Sequence, residues 1–381
     1  MRNAHINMNE FTNASRVLKQ VSSLVESNVF ESIMIIALGT DALRKHEVLA
    51  PRVELYRISL LTRKLPKNLL FQSVKYIEFF FRSIWLLARF KPQVVNAHAL
   101  LVMPIACAYK LIFKAHLVYD AHELETEQEG GGGLRKSMSK WLERKLIYSH
   151  DLMFVVSESI ADWYVRVYGI ARPLVVLNAP VRRAIKKNNH FRQQLGIREN
   201  QIILLYQGVL GAGRGVQLIV EAFKQRFDDR VVAVFMGYGV LQAEVEAAAA
   251  QYNNIFFYPA VPSQIVLEYT SSADLGVSLI ENTCLSYFYC MPNKLFEYSM
   301  AGLPVVVSNM RDMSDLVSKN KMGVVVEDLT AAGINRVVDD LLVQDLASMS
   351  DCAYRVACEY AWDVQEQKML NAYRVMLELR A

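Results

Sequence analysis

Short apolar runs alternate with amphipathic stretches over most of the chain. Residues 32–38, 94–98, 116–120 and 152–157 are rich in Val, Ile and Leu, bounded by polar residues, and read as buried strands. Helical spacing fills 16–24, 101–113 and 159–168. The same grammar restarts after residue 200, with strands expected at 201–206, 231–236, 255–258, 275–279 and 304–308. Helices are expected between them at 215–227, 241–252, 262–272 and 293–301. A polar, basic stretch at 181–189 separates the halves and reads as a linker. Strands that are apolar throughout are buried on both faces, the signature of parallel sheets covered by helices. The expected class is α/β, with two Rossmann-like domains whose parallel sheets face a central cleft. The first domain is expected over 1–180 and the second over 190–361. Ligands in such sheets lie beyond the carboxyl ends of the strands, so the strand-to-helix loops are where chemistry belongs.

Composition narrows the picture. A chain of 381 residues with 53% hydrophobic and 21% charged residues builds large cores and is not disordered. The net charge of +4 is too small to imply a nucleic-acid partner. The five cysteines have neither metal-ligand spacing nor the density of a disulfide scaffold, which suits a reducing compartment. The first residues do not read as a secretory signal. The most apolar stretch, 99–113, is interrupted by Pro104 and Lys110 and falls short of the ~18 residues of a membrane span. A cytoplasmic location is expected. Yet the mean hydropathy of +0.16 is high for a chain without a span. From Arg44 to Lys91, eleven Lys or Arg face only three Glu, interleaved with Phe71, Phe79, Phe80, Phe81, Trp85 and Phe90. Basic residues among exposed aromatics suit an anionic membrane surface, and so a peripheral association. A core helix with a solvated basic face is the alternative.

Candidate chemistry concentrates in two segments. Gly208-Val-Leu-Gly-Ala-Gly-Arg-Gly215 follows a strand and opens a helix, where backbone N–H groups and glycines admit an anion. The dinucleotide reading fails because position 216 is Val and no acidic residue ends the following strand. Arg214 adds a permanent charge suited to phosphate. Pro292-Asn-Lys-Leu-Phe-Glu-Tyr-Ser-Met-Ala-Gly-Leu-Pro304 has a helix start at Pro292 and a stop at Gly302. Lys294 and Glu297 share one face of that helix, either as a surface ion pair or as part of a site. In the first half, Asp120-Ala-His-Glu123 gathers polar groups at a strand end, costly to bury unpaired. His98 ends another strand, as a core histidine or a substrate contact. His5 reads as structural. Asn13 or Ser15 can cap the first helix, or the loop carrying them can line the cleft. The acidic, glycine-rich stretch 123–133 reads as a mobile surface connection, with an acceptor lid as the other reading.

These motifs, in order and spacing from about residue 5 to 375, resemble the retaining GT-B glycosyltransferases of family 4, which build bacterial polysaccharides and glycans. The resemblance implies a transfer of sugar from a nucleoside-diphosphate donor, UDP favoured, to a glycan or lipid-linked acceptor. It implies that Glu297 takes the ribose hydroxyls and that Arg214, Gly208 and Gly213 hold the diphosphate with Lys294 and Leu295. Backbone groups around Tyr258 and Ala260 would meet the base. His122 would face the donor sugar or the acceptor hydroxyl, with Asn13, His98 and Glu123 on the acceptor side. His122, Arg214, Lys294 and Glu297 form the implied catalytic set. The last helix, 362–381, would pack back on the first domain. No cofactor and no metal are expected, since Arg214 and Lys294 supply cations and no Asp-x-Asp pair is present. Two positions depart from the family: Tyr289, where a glutamate is usual, and Val209, where an arginine is usual. They motivate a non-catalytic scaffold as an alternative, beside a nucleotide-sugar epimerase of the same fold.

Overall fold

A computed structural model describes residues 1–12, 14–128, 132–226 and 228–378. It divides into two compact units, 1–176 with 366–381, and 177–365.

In the first unit the strands are β1 (Arg2–Ile6), β2 (Ser32–Leu38), β3 (His46–Ala50), β4 (Val53–Ile58), β5 (Val94–His98), β6 (His116–Asp120), β7 (Leu152–Val155) and β8 (Leu174–Val175). They form one sheet in the order β3-β4-β2-β1-β5-β6-β7-β8. Every pairing is parallel except β3 with β4. The antiparallel edge lies inside the basic segment and was not expected there: β3 is largely exposed, and β4 interleaves Glu54 and Arg57 with buried Val53, Leu55 and Ile58 instead of running apolar throughout. Helices α1 (Ser15–Glu26), α2 (Leu69–Phe90), α3 (Met103–Phe113), α4 (Gly133–Leu146) and α5 (Glu158–Tyr168) accompany the sheet. Ser15 does not cap α1: the cap position is Ala14, with no side-chain hydrogen bond. The order reverses between β1 and β5, the switch point at which open α/β sheets bind ligands.

The second unit carries β9 (Ile202–Val209), β10 (Val231–Tyr238), β11 (Ile255–Pro259), β12 (Leu275–Ser278), β13 (Val305–Ser308) and β14 (Gly323–Val326), ordered β11-β10-β9-β12-β13-β14 and all parallel. Its helices are α6 (His190–Leu195), α7 (Val216–Lys224), α8 (Gln242–Gln251), α9 (Val266–Thr270), α10 (Leu285–Phe288), α11 (Asn293–Met300), α12 (Arg311–Asn320), α13 (Ala331–Leu341) and α14 (Leu346–Tyr360). Two apolar cores cover the sheet, one around Tyr206, Phe223 and Phe235, the other around Leu295, Tyr298 and Val307. Here the switch point falls between β9 and β12, placing the loops that follow them side by side. The helix expected at 262–272 is shorter, because Pro262-Ser-Gln forms a turn before α9.

The last helix, α15 (Trp362–Glu378), leaves the second unit and ends in the first. There the Tyr373 hydroxyl donates to Asn96 and its ring packs edge-on to Phe30 and tilted on Phe154, at 6.0 and 5.8 Å between centroids.

Candidate functional site

In the second unit the site grows from the end of β9. Gly215 has φ +70°, and a Cβ there would lie 2.5 Å from the Leu279 carbonyl oxygen, so only glycine lets the loop rest on the end of β12. The Glu281 N–H donates to the Gly213 carbonyl at 3.0 Å and fixes the two loops together. The Tyr206 hydroxyl donates to the Val209 carbonyl (2.8 Å), pinning the start of the same loop. Gly208, with φ +119°, faces the Lys294 side chain. Arg214 projects half-buried from this loop.

Lys294 lies in the first turn of α11 with its ammonium 3.9 Å above the centre of the Tyr206 ring. It is 8% exposed, and its Nζ has no hydrogen-bond partner among the described residues. Burial pushes the ammonium down to about 7, and the neighbouring Arg214 adds to this, while Glu297 and Cys290 oppose it. The surface ion pair with Glu297 is therefore not formed. Glu297 instead accepts from the Gln207 amide (2.5 Å), and the Thr270 hydroxyl donates to the Gln207 side-chain oxygen (2.7 Å). The Gln207 N–H donates to the Tyr298 hydroxyl (2.9 Å), which donates to the Val277 carbonyl (3.1 Å). Gln207 thus aims Glu297, a role its position in an apolar strand did not reveal.

Leu295 is buried, with its N–H on the Pro292 carbonyl. Tyr258 sits in an aromatic cluster with Phe191 and Tyr269, its hydroxyl on Gln194, and Ala260 lies exposed in the next loop. Of the two departing positions, Val209 is exposed and Tyr289 is buried against Phe288.

In the first unit the switch point gathers His5, His98, Asp120 and His122. Arg16 forks onto Asp120, with Nη2 to Oδ1 at 2.7 Å and Nε to Oδ2 at 3.1 Å, and Gln20 donates to Oδ2 at 2.9 Å. Burial would push this carboxyl up, but Arg16, His122 and the hydrogen bonds hold it well below the usual range. His98 Nδ1 and His122 Nε2 each lie 3.1 Å from Asp120 Oδ2 and 3.2 Å from each other. His5 Nδ1 meets His98 Nε2 at 2.8 Å. Burial lowers both His98 and His5, so these rings are neutral. The His98–Asp120–His122 atoms are close enough to hold a metal ion. With Arg16 and Gln20 already on both Asp120 oxygens, the cluster is organised first as a hydrogen-bonded centre.

His98 is buried (2%) and stands behind half-exposed His122 instead of reaching solvent itself. Ala99, next in the chain, has φ +89°, a strained conformation for a residue with a side chain. Glu123 is exposed and accepts from Gln128. Asn13 lies outside the described residues.

Two largely parallel sheets covered by helices, each with polar groups gathered at its switch point, define a two-domain α/β enzyme of the GT-B class. Residues 187–356 match the model for glycosyl transferases group 1, and residues 31–183 that for glycosyltransferase family 4. The chain belongs to the GT-B glycosyltransferases of the family 4 type. None of the curated proteins matches it in sequence. Among solved structures it is similar to a sucrose-phosphate synthase from Thermosynechococcus elongatus (16% identity, all of both chains covered, TM-score 0.83). It is also similar to Anabaena HepE, solved in complex with UDP-glucose (13% identity, 98% of this chain and 100% of that one, TM-score 0.76). A third is WaaG, a glycosyltransferase involved in lipopolysaccharide biosynthesis (16% identity, 98% and 99% covered, TM-score 0.70).

Proposed function

We propose that this glycosyltransferase moves a sugar from a nucleoside-diphosphate sugar, UDP favoured, to a glycan or lipid-linked acceptor in cell-surface polysaccharide synthesis, with retention at the anomeric carbon. The observation that carries the donor reading is Lys294: a buried ammonium without a hydrogen-bond partner among the described residues, beside Arg214 and a glycine-rich loop. A diphosphate completes that site. As the glycosidic bond breaks, negative charge grows on phosphate oxygens, and fixed cations already in place stabilise it. Arg214 and Lys294 do this without a metal, in the reading proposed. Glu297, aimed by Gln207, takes the ribose hydroxyls, and His122 meets a sugar hydroxyl from the first unit.

The same reading places the enzyme in the cytoplasm, at the inner face of an anionic membrane. Leu70, Val74, Ile77, Phe81 and Trp85 recur every three to four residues along α2 and, with Leu69, are exposed, while Phe79, Ser83 and Leu87 pack inward. Arg89 stacks over Trp85 at 4.9 Å. An apolar face with flanking cations is suited to a lipid headgroup layer. Among the described residues no helix is long and apolar enough to cross a membrane.

Thermal-shift screening of nucleoside diphosphates tests the donor reading and identifies the base. Stabilisation by UDP that is lost in Lys294→Ala and Arg214→Ala supports it. Absence of stabilisation by any nucleoside diphosphate overturns it.

A further inference from the structure

We propose that His122 in its neutral form carries its proton on Nε2 and presents a bare Nδ1 to a sugar hydroxyl, with Asp120, His98 and His5 as positioning residues that fix this tautomer. The part that concerns the sugar rests on the transferase reading above. The proton arrangement does not.

The argument starts at Asp120. It is 1% exposed and forked by Arg16, so it is ionised, and an ionised carboxylate only accepts hydrogen bonds. Both ring nitrogens 3.1 Å from its Oδ2, His122 Nε2 and His98 Nδ1, must then point protons at it. A neutral His98 with its proton on Nδ1 has a lone pair on Nε2. His5 Nδ1, 2.8 Å away, must donate to that lone pair. This leaves His5 Nε2 as a bare acceptor, and it is the one buried ring atom of the chain of rings without a partner among the described residues.

The reverse arrangement fails at both ends. It would set the His98 Nδ1 lone pair against the carboxylate and bury an N–H of His5 with nothing to donate to, at a cost of about 1–3 kcal/mol for the unpaired donor alone. One proton pattern satisfies the contacts to Asp120 and between His98 and His5, with the His98 Nδ1 and His122 Nε2 protons, 3.2 Å apart at the nitrogens, both aimed at the carboxylate and not at each other. It runs from His5 in β1, through His98 at the end of β5, to Asp120 at the end of β6, along three adjacent strands. The Nδ1 of His122 is the atom left over, on a side chain 31% exposed. It therefore selects a hydroxyl, which can donate, over an ether or a deoxy position, which cannot.

The deciding measurement is long-range proton–nitrogen NMR on the full chain labelled at histidine, near pH 8, with the His122 signals assigned by loss in His122→Gln. The expected spectrum shows His122 protonated at Nε2 and bare at Nδ1, and His98 protonated at Nδ1. A proton on His122 Nδ1, or on His98 Nε2, overturns the proposal. This measurement needs no substrate, so its failure is distinct from failure of the transferase reading. A second comparison tests the contact once turnover is measured. Asn at 122 keeps a polar group near the Nδ1 position, whereas Gln reproduces only the Nε2 contact to Asp120. His122→Asn is expected to retain about tenfold more turnover than His122→Gln, the scale of one hydrogen bond. Equal or inverted activities overturn the contact.

Discussion

The ammonium of Lys294 lies 3.9 Å above the ring of Tyr206, buried and without a hydrogen-bonding partner among the described residues. A group in that position costs stability, and in the proposed reading it is held for the diphosphate. Lys294→Met is therefore expected to raise the melting temperature while cutting turnover by about 10²–10³, the usual scale for losing one preorganised charge contact. A melting curve beside a transfer assay checks both signs, and a drop in both would assign Lys294 to the core alone.

The same lysine sets a pH dependence. In the unfolded chain a lysine titrates near ~10.4, but here it is pushed down to about 7. Between those values the unfolded chain holds the extra proton, so folding stability climbs as pH rises from about 7 toward about 10. Affinity for a diphosphate moves the other way, because the anion needs the ammonium. UDP binding by calorimetry should weaken as pH rises from 7 to 9, with proton uptake on binding, and the trend should flatten in Lys294→Met.

In the proposed reading Gln207 and Glu297 act on the nucleoside and Arg214 on the phosphates. Gln207→Leu removes the amide that aims Glu297 and is expected to weaken UDP about tenfold, the scale of a hydrogen bond to a charged group. Inorganic pyrophosphate should bind the variant as it binds the parent. Arg214→Ala should weaken both ligands. Competition binding with the two ligands separates these outcomes.

Gly215→Ala forces a side chain into φ +70° and against the Leu279 carbonyl. Strain alone is about 1–3 kcal/mol, so chemical denaturation should show a loss of about 2 kcal/mol or more. Nucleotide affinity should fall with it, because the loop can no longer rest on β12.

On α2, Phe81→Glu with Trp85→Glu is expected to lower binding to anionic vesicles at least tenfold, given roughly 1.5–3 kcal/mol for each large apolar side chain removed from water. UDP binding should not change. Flotation with anionic and with zwitterionic vesicles checks this, and equal flotation of parent and variant would remove the membrane from the reading.

Much of this was legible in the sequence, for a local reason. The Gly208–Gly215 loop and the Pro292–Gly302 helix each carry their chemistry within one turn, so strand, glycine and cation could be read together. Glu297 and Lys294 were placed on one face by helical period alone. What sheet order assembles was not legible. His5, His98 and Asp120 meet because β1, β5 and β6 are neighbours, and Gln207 reaches Glu297 from 90 residues away. Asp120 is the hub, while Glu123, the acid expected on the acceptor side, is exposed. The edge strand β3 and its neighbour β4 escaped notice because charged residues interrupt the apolar run that marked the others.

Tyr373 closes the core of the first unit with a residue synthesised after the whole of the second unit. Phe30 and Phe154 wait for it, as does the buried Asn96 side chain. The second unit, 177–365, is one uninterrupted stretch. During synthesis the usual amino-to-carboxyl order of domain completion is therefore inverted for these two units: the second unit has all its residues first, and the first unit finishes after it. A ribosome stalled at any codon before Tyr373 holds a first unit with an open aromatic core, so truncations of the last helix should appear as folding defects of the opposite end of the chain.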